Sequence, residues 1–133
     1  MSFYSPAEVA EKTGFSIDTL RYYEKIGLLR GIGRTPGGRR RFTEEDLGLL
    51  RLLRCLRDTE MPIAQLLRYV DLLHDGEAGV PQRLAILMEH DNRVEQQITR
   101  LREHRRLIRR KIEMYSADTC DGDRRLEAAA RPS

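Results

Sequence analysis

Apolar residues change their period along the chain, and each change marks a new element. Near the start, Val9 and Ala10 offer one inward face behind Ser5-Pro6-Ala7-Glu8. Ser5 can cap a helix there, Pro6 suits its first turn, and Glu8 is placed to close a capping box. Thr13-Gly14-Phe15 then makes a short turn. Leu20, Tyr23 and Ile26 recur at helical spacing, with Ser16 as N-cap and Gly27 able to end the helix. Thr19, Arg21, Tyr22 and Lys25 are left for the opposite face. Two extended pieces follow, residues 28–31 and 39–42, separated by the turn signal Pro36-Gly37-Gly38. Thr43 with Glu44-Glu45-Asp46 opens another helix, whose acids suit the positive end of the helix dipole. Leu47, Leu50, Leu53 and Leu56 give it one face, widened by Leu49 and Leu52, to about Thr59. Pro62 restarts the chain in a first helical turn, with Ile63, Leu66, Leu67, Val70 and Leu73 facing inward as far as His74-Asp75-Gly76. Residues 75–80 read as a short polar linker.

From Pro81 the pattern is a heptad. Leu84, Leu87, Val94, Ile98, Leu101, Ile108, Ile112 and Tyr115 share one three-four register over more than four heptads, interrupted by polar Asp91 and Arg105. Such a helix would be roughly 50 Å long at 1.5 Å per residue. It cannot cover its own stripe, and the simplest partner is a second copy of itself. Asp91 and Arg105 lie symmetrically about Ile98. An antiparallel pair crossing there would bring Asp91 of one copy to Arg105 of the other.

Charge sharpens this picture. Residues 1–43 carry eight Lys or Arg against four acids, residues 44–80 four against eight, and residues 81–133 twelve against nine. Between Lys25 and Thr43 stand five arginines and no acid. A wing tip of three arginines calls for an anion, and phosphate backbone supplies one with counterion release as the driving force. The alternative is a solvated basic loop. Two short helices around a Gly turn, a polar second helix carrying Arg21 and Tyr22, and a basic hairpin together read as a winged helix-turn-helix on DNA. The composition, 40% hydrophobic and 34% charged, suits a soluble globular chain. No apolar run approaches membrane-spanning length and no signal peptide opens it. Cys55 and Cys120 make no disulfide framework, so a cytoplasmic, reducing location is expected. No phosphate loop, metal-ligand spacing or nucleophile–base set is present, and His74, His90 and His104 read as surface residues of helices. Neither an enzyme nor a bound cofactor is expected.

The order helix-turn-helix, Asp18-Thr19-Leu20-Arg21-Tyr22-Tyr23-Glu24, a wing with Gly37-Gly38-Arg39-Arg40-Arg41-Phe42, two helices and a long dimer helix resembles the MerR family of bacterial transcription regulators over about residues 3–115. The resemblance implies a mainly α fold: a winged helix-turn-helix head with a two-stranded wing (1–76, including two supporting helices), then an antiparallel coiled-coil dimerisation helix (81–115). A flexible tail (117–133) is expected beyond it. It implies a homodimer that binds double-stranded promoter DNA and, on effector binding, distorts it so that RNA polymerase engages, at an energy offset by protein contacts. Carried over by motif position, Ser16, Thr19, Arg21 and Tyr22 meet DNA from the helix, and Arg34, Arg40 and Arg41 from the wing, while Tyr23 belongs to the core; Arg39, in the same basic run, is a further candidate for DNA contact. Leu84, Leu87, Asp91, Val94, Ile98, Leu101, Arg105, Ile108, Ile112 and Tyr115 form the dimer seam. Two departures stand out. Arg39 sits where the family has an aromatic, and Glu60-Met61-Pro62 replaces a Gly-Phe-Ser type turn.

The effector is less legible. A large drug-binding domain does not fit this length, and the four cysteines of an iron–sulfur redox sensor are absent. One soft ligand, Cys120, makes no thiolate metal site by itself, leaving only a site shared with a residue such as His90. Cys55 is placed like the lone cysteine of the aldehyde- and electrophile-responsive branch, which the segments 63–66, 84–90 and 111–115 also resemble. Arg51, Arg54 and Arg57 are near enough to favour its thiolate, the reactive form. A small buried core residue is the competing reading. A regulator of a non-covalent ligand and a constitutive DNA-bending protein remain open.

Overall fold

The computed structural model describes residues 2–121, the last three by backbone alone. The order is α1 (Pro6–Thr13), α2 (Ile17–Ile26), β1 (Gly33–Arg34), β2 (Arg40–Arg41), α3 (Glu44–Asp58), α4 (Ile63–His74), a 3-10 turn (Gly76–Gly79) and α5 (Val80–Asp121). Two compact units divide the chain, one ending at His90 and one beginning at Asp91.

Local chemistry explains the helix ends of the first unit. Ser5 Oγ accepts the Glu8 N–H and the Glu8 carboxylate accepts the Ser5 N–H, a closed capping box at the start of α1. Thr43 and Asp46 repeat it at α3. Ser16 caps α2, and Gly27, at φ +90°, closes it in the left-handed conformation. These helices surround one core. Val9, Leu28, Leu50, Leu53 and Leu66 are completely buried, and Phe15, Leu20, Tyr23, Phe42, Leu47 and Met61 nearly so. Phe15 meets the Tyr23 ring edge-on at 5.2 Å between centroids. Burying a leucine of this kind contributes roughly 1.5–3 kcal/mol.

The wing differs from expectation on one side. Residues 28–31 are not a strand; the first strand is Gly33–Arg34. Leu28 and Leu29 are both buried, which the alternating faces of a half-exposed strand do not allow. Their N–H groups instead return to the Tyr23 carbonyl at 2.8 and 3.1 Å, extending the cap of α2. The second strand lies inside the expected segment at Arg40–Arg41. It pairs antiparallel with Gly33 opposite Arg41 and Arg34 opposite Arg40. Phe42 then bridges to Tyr4 through reciprocal backbone bonds of 2.8 and 2.9 Å. Tyr4 also donates its phenol proton to Glu44, and that bond, with burial, raises its pKa above the usual tyrosine value.

Three further expectations change. Ile63 is exposed, whereas Tyr69 and Leu72 are buried on α4. The linker at 75–80 contains a 3-10 turn and α5 begins at Val80. His90 is not a surface residue: it is 5% exposed, with Nε2 2.7 Å from Thr59 Oγ1 at the end of α3. Ile86 and Leu87 pack on the same core, which carries the first turns of α5 onto the head. Leu87, placed in the seam by its heptad position, is thus engaged within its own chain. His74 and His104 are exposed.

The second unit is the remainder of α5. Val94 is half-buried, while Ile98, Leu101, Ile108, Ile112 and Tyr115 are 36–67% exposed. The helix continues through Ala117 to Asp121, past the start of the expected tail; the rest of that tail, from residue 122, lies outside the described residues. Among the described residues no helix is long and apolar enough to cross a membrane.

Candidate nucleic-acid interface

The solvent face of α2 carries Ile17, Arg21, Tyr22 and Lys25, with Tyr22 50% exposed. The phase is set from behind, because Leu20 and Tyr23 are pinned in the core. The Arg57 guanidinium donates to the Tyr23 hydroxyl at 3.1 Å, which gives the buried ring a polar anchor. Arg21 stands free of the core, 3.7 Å from Asp18 in an exposed pair that adds little stability. Ser16 and Thr19 have a local task first. Ser16 Oγ accepts the Thr19 N–H at 3.1 Å and donates to Thr19 Oγ1 at 2.9 Å.

The wing is held by backbone bonds around its turn, Thr35 N–H to Arg39 at 2.8 Å and Gly38 N–H to Thr35 at 2.9 Å. Its arginines have separate surroundings. Arg34 donates to the Gly38 carbonyl at 3.1 Å. Arg39 is exposed at the tip. Arg40 Nε donates to Glu24 of α2 at 2.6 Å. The Arg41 guanidinium stacks 4.0 Å from the centroid of Phe3, and its Nε is buried with no hydrogen-bond partner among the described residues. Between the wing, the start of α1 and the outer face of α2 lies a groove of about 810 Å³, lined by Arg21, Arg34, Arg39, Arg40 and Arg41 with apolar Phe3 and Ile17. Guanidinium groups around an apolar-floored groove suit a sugar–phosphate backbone, with Tyr22 and Ile17 available to base edges and methyl groups.

The structure thus brings Arg21, Arg34, Arg39, Arg40 and Arg41 to one groove, with Tyr22 on the same helix as Arg21. Ser16 and Thr19 stand at the start of that helix. Three contributors were not legible in sequence. Ile17 is apolar yet exposed, Phe3 precedes the first recognisable element, and Glu24 is an acid on a basic surface. The run Arg39-Arg40-Arg41 was the only available hint that an acid on α2 would be needed.

Cys55 is exposed on α3 and its core reading is excluded. Its carbonyl accepts the Thr59 hydroxyl at 2.8 Å. Two of the arginines expected to act on the thiol are engaged elsewhere, Arg54 with Asp58 at 3.0 Å and Arg57 with Tyr23. The Cys120 side chain lies outside the described residues. Among those described, no group of three His, Cys, Asp or Glu side chains could hold a metal ion.

This head is a winged helix-turn-helix with its basic groove open to solvent. The family model for the MerR HTH family regulatory protein matches residues 4–73, and the chain belongs to that family of DNA-binding transcription regulators. It is 38% identical over 112 residues to an HTH-type transcriptional regulator of Haemophilus influenzae, covering 84% of this chain and 83% of that protein. It is 34% identical over 88 residues to the HTH-type transcriptional regulator AdhR of Bacillus subtilis, covering 66% and 63%. The fold is similar to the crystal structure of HiNmlR, a MerR family regulator lacking the sensor domain, bound to promoter DNA. That match has a TM-score of 0.87 and 34% identity over 98% of both chains. The protein is therefore a transcription regulator and not an enzyme.

Proposed function

We propose that the chain acts as a homodimer in the cytoplasm, holding a promoter pseudo-palindrome with two heads and distorting it for RNA polymerase when an effector arrives. The observation that carries the dimer is the stripe Leu84, Ile98, Leu101, Ile108 and Ile112, each 43–67% exposed in one chain. An apolar seam of that length is stable in water only against a partner. Ser16, Thr19, Arg21 and Tyr22 act on DNA from α2, and the wing arginines hold phosphates. Residues 1–76 form the DNA-binding domain and residues 81–115 the dimer helix. HiNmlR is described as bound to promoter DNA without a sensor domain. That supports an architecture in which head and helix suffice for binding and the signal enters through them.

The entry point is Cys55. It is exposed, it lies in a segment similar to the aldehyde- and electrophile-responsive branch, and an adduct there would project one turn from Thr59, the residue bonded to His90 at the root of α5. The test is transcription from a promoter bound by the wild-type protein, challenged with formaldehyde, methylglyoxal and a quinone, in wild type and Cys55→Ser. Wild type responds and the variant does not, with equal DNA affinity. A response unchanged in the variant refers sensing to another nucleophile such as Cys120, and no response in either removes the thiol reading in favour of a non-covalent ligand or a constitutive DNA-bending protein.

A further inference from the structure

Arg34 and Arg40 stand directly opposite each other in the wing, a like-charge pair that is unfavourable by itself. Both converge on one carboxylate of the recognition helix. Glu24 Oε1 accepts from Arg40 Nε at 2.6 Å and lies 3.9 Å from Arg34 Nη2. The Glu24 and Arg40 side chains are about three-quarters buried, so this contact is less screened than an ordinary surface pair. Glu24 therefore has two effects of opposite sign. It fixes the wing to the helix, and it cancels one of two positive charges beside the groove.

Sequence-specific binding needs the base-reading helix and the phosphate-holding wing to arrive in one fixed relation. Non-specific binding needs only positive charge and grows with each phosphate neutralised. We propose that Glu24 is a positioning residue for DNA specificity: it holds Arg34 and Arg40 in the geometry of the cognate site and lowers the attraction of all other DNA. This rests on α2 and the wing being the DNA-facing surface. A conservative loss of its charge moves the two kinds of binding apart, which a purely structural role would not do.

The experiment selects a duplex from a random pool with the wild-type protein, then measures binding to it and to a shuffled duplex over a range of salt concentrations. Glu24→Gln keeps the size and an acceptor oxygen, and a denaturation curve confirms that it folds. For this variant the shuffled duplex binds more tightly, with a log–log salt slope steeper by about 1.8, one additional phosphate contact for each head of the dimer. The selected duplex gains nothing, and the specificity ratio falls about tenfold, within the range set by one or two mismatched base pairs. Arg40→Gln lowers the same ratio, and the double variant is no worse than either single one, as expected of two residues acting as a unit. A ratio held within about twofold, or a parallel weakening on both duplexes, overturns the inference. A wild-type protein that enriches no sequence from the pool overturns the DNA-facing surface itself, and the role of Glu24 with it.

Discussion

Glu60 adopts φ +72°, the only non-glycine residue with positive φ among those described. The left-handed conformation costs an L-residue roughly 1–2 kcal/mol, part of which glycine returns through its more flexible unfolded state. Glu60→Gly should therefore stabilise the protein by about 0.5–1 kcal/mol. It would be read as a higher urea midpoint at unchanged slope and fixed protein concentration. A lower midpoint would mean that the Glu60 side chain contributes more than its backbone loses. Glu8 gives a different signature. Hydrogen bonds from the Ser5 backbone and side chain, with Lys12 nearby, hold its pKa below the usual value of 4.5. Because the folded value lies below the unfolded one, the stabilisation is complete above about pH 4.5 and fades as pH falls through the folded value. Glu8→Gln keeps the capping acceptor but cannot titrate. Wild type should exceed it in melting temperature at pH 7, and the two should converge as pH falls through the folded value. Parallel curves would remove the carboxylate from the acid response.

At the scale of elements, the joint between α4 and α5 is tight. A Cβ at Gly79 would collide with the Leu72 carbonyl, so Gly79→Ala must shift the start of α5 or unwind the end of α4. The expected loss is about 1–3 kcal/mol in chemical denaturation. It should come with earlier exposure of the amides of residues 80–90 to hydrogen exchange. An unperturbed variant would mean that the Leu72 carbonyl gives way to the added methyl at no cost. This joint also marks where sequence stops being informative. The caps at Ser5, Ser16, Gly27 and Thr43 were legible because each depends on residues within four positions. The first wing strand was misplaced by a few residues because Leu28 and Leu29 look like a strand locally, while the core beneath them draws both inward. His90 was misread as a surface residue. Its partner Thr59 is remote in sequence, and on a heptad wheel a polar residue outside the seam reads as solvated. The residues proposed to face DNA were read from the Arg-Tyr-Tyr-Glu and wing motifs. The link from Glu24 to Arg40 is tertiary, and no local spacing encodes it.

For the whole molecule the decisive asymmetry is electrostatic. The first part of the long helix is nearly balanced, with Glu89, Asp91 and Glu95 against Arg83 and Arg93, whereas the part up to Tyr115 is strongly basic, with exposed Arg102, Arg105, Arg106, Arg109 and Arg110 against Glu103 and Glu113. Two helices laid parallel would set these arginines side by side, and laid antiparallel they set them against the nearly neutral first part with its Glu89, Asp91 and Glu95. With the crossing at Ile98, Asp91 of one copy meets Arg105 of its partner on each side of the seam. Asp91→Arg alone and Arg105→Asp alone should each place like charges in contact. Each should weaken the dimer by about 1–3 kcal/mol, a five- to 150-fold rise in its dissociation constant. The double variant restores opposite charges in exchanged positions and should recover most of the wild-type affinity. A parallel dimer predicts otherwise, because Asp91 would face Asp91 and Arg105 would face Arg105 in wild type, and no combination of reversals would improve on another. Sedimentation velocity on the four proteins separates the two arrangements. DNA binding gives a second check: a chain driven to monomer keeps one head's phosphate contacts but loses the avidity of two linked half-sites, about 10²–10⁴-fold. If the single reversals dimerise like wild type, neither Asp91 nor Arg105 lies at the seam and the crossing point is not Ile98.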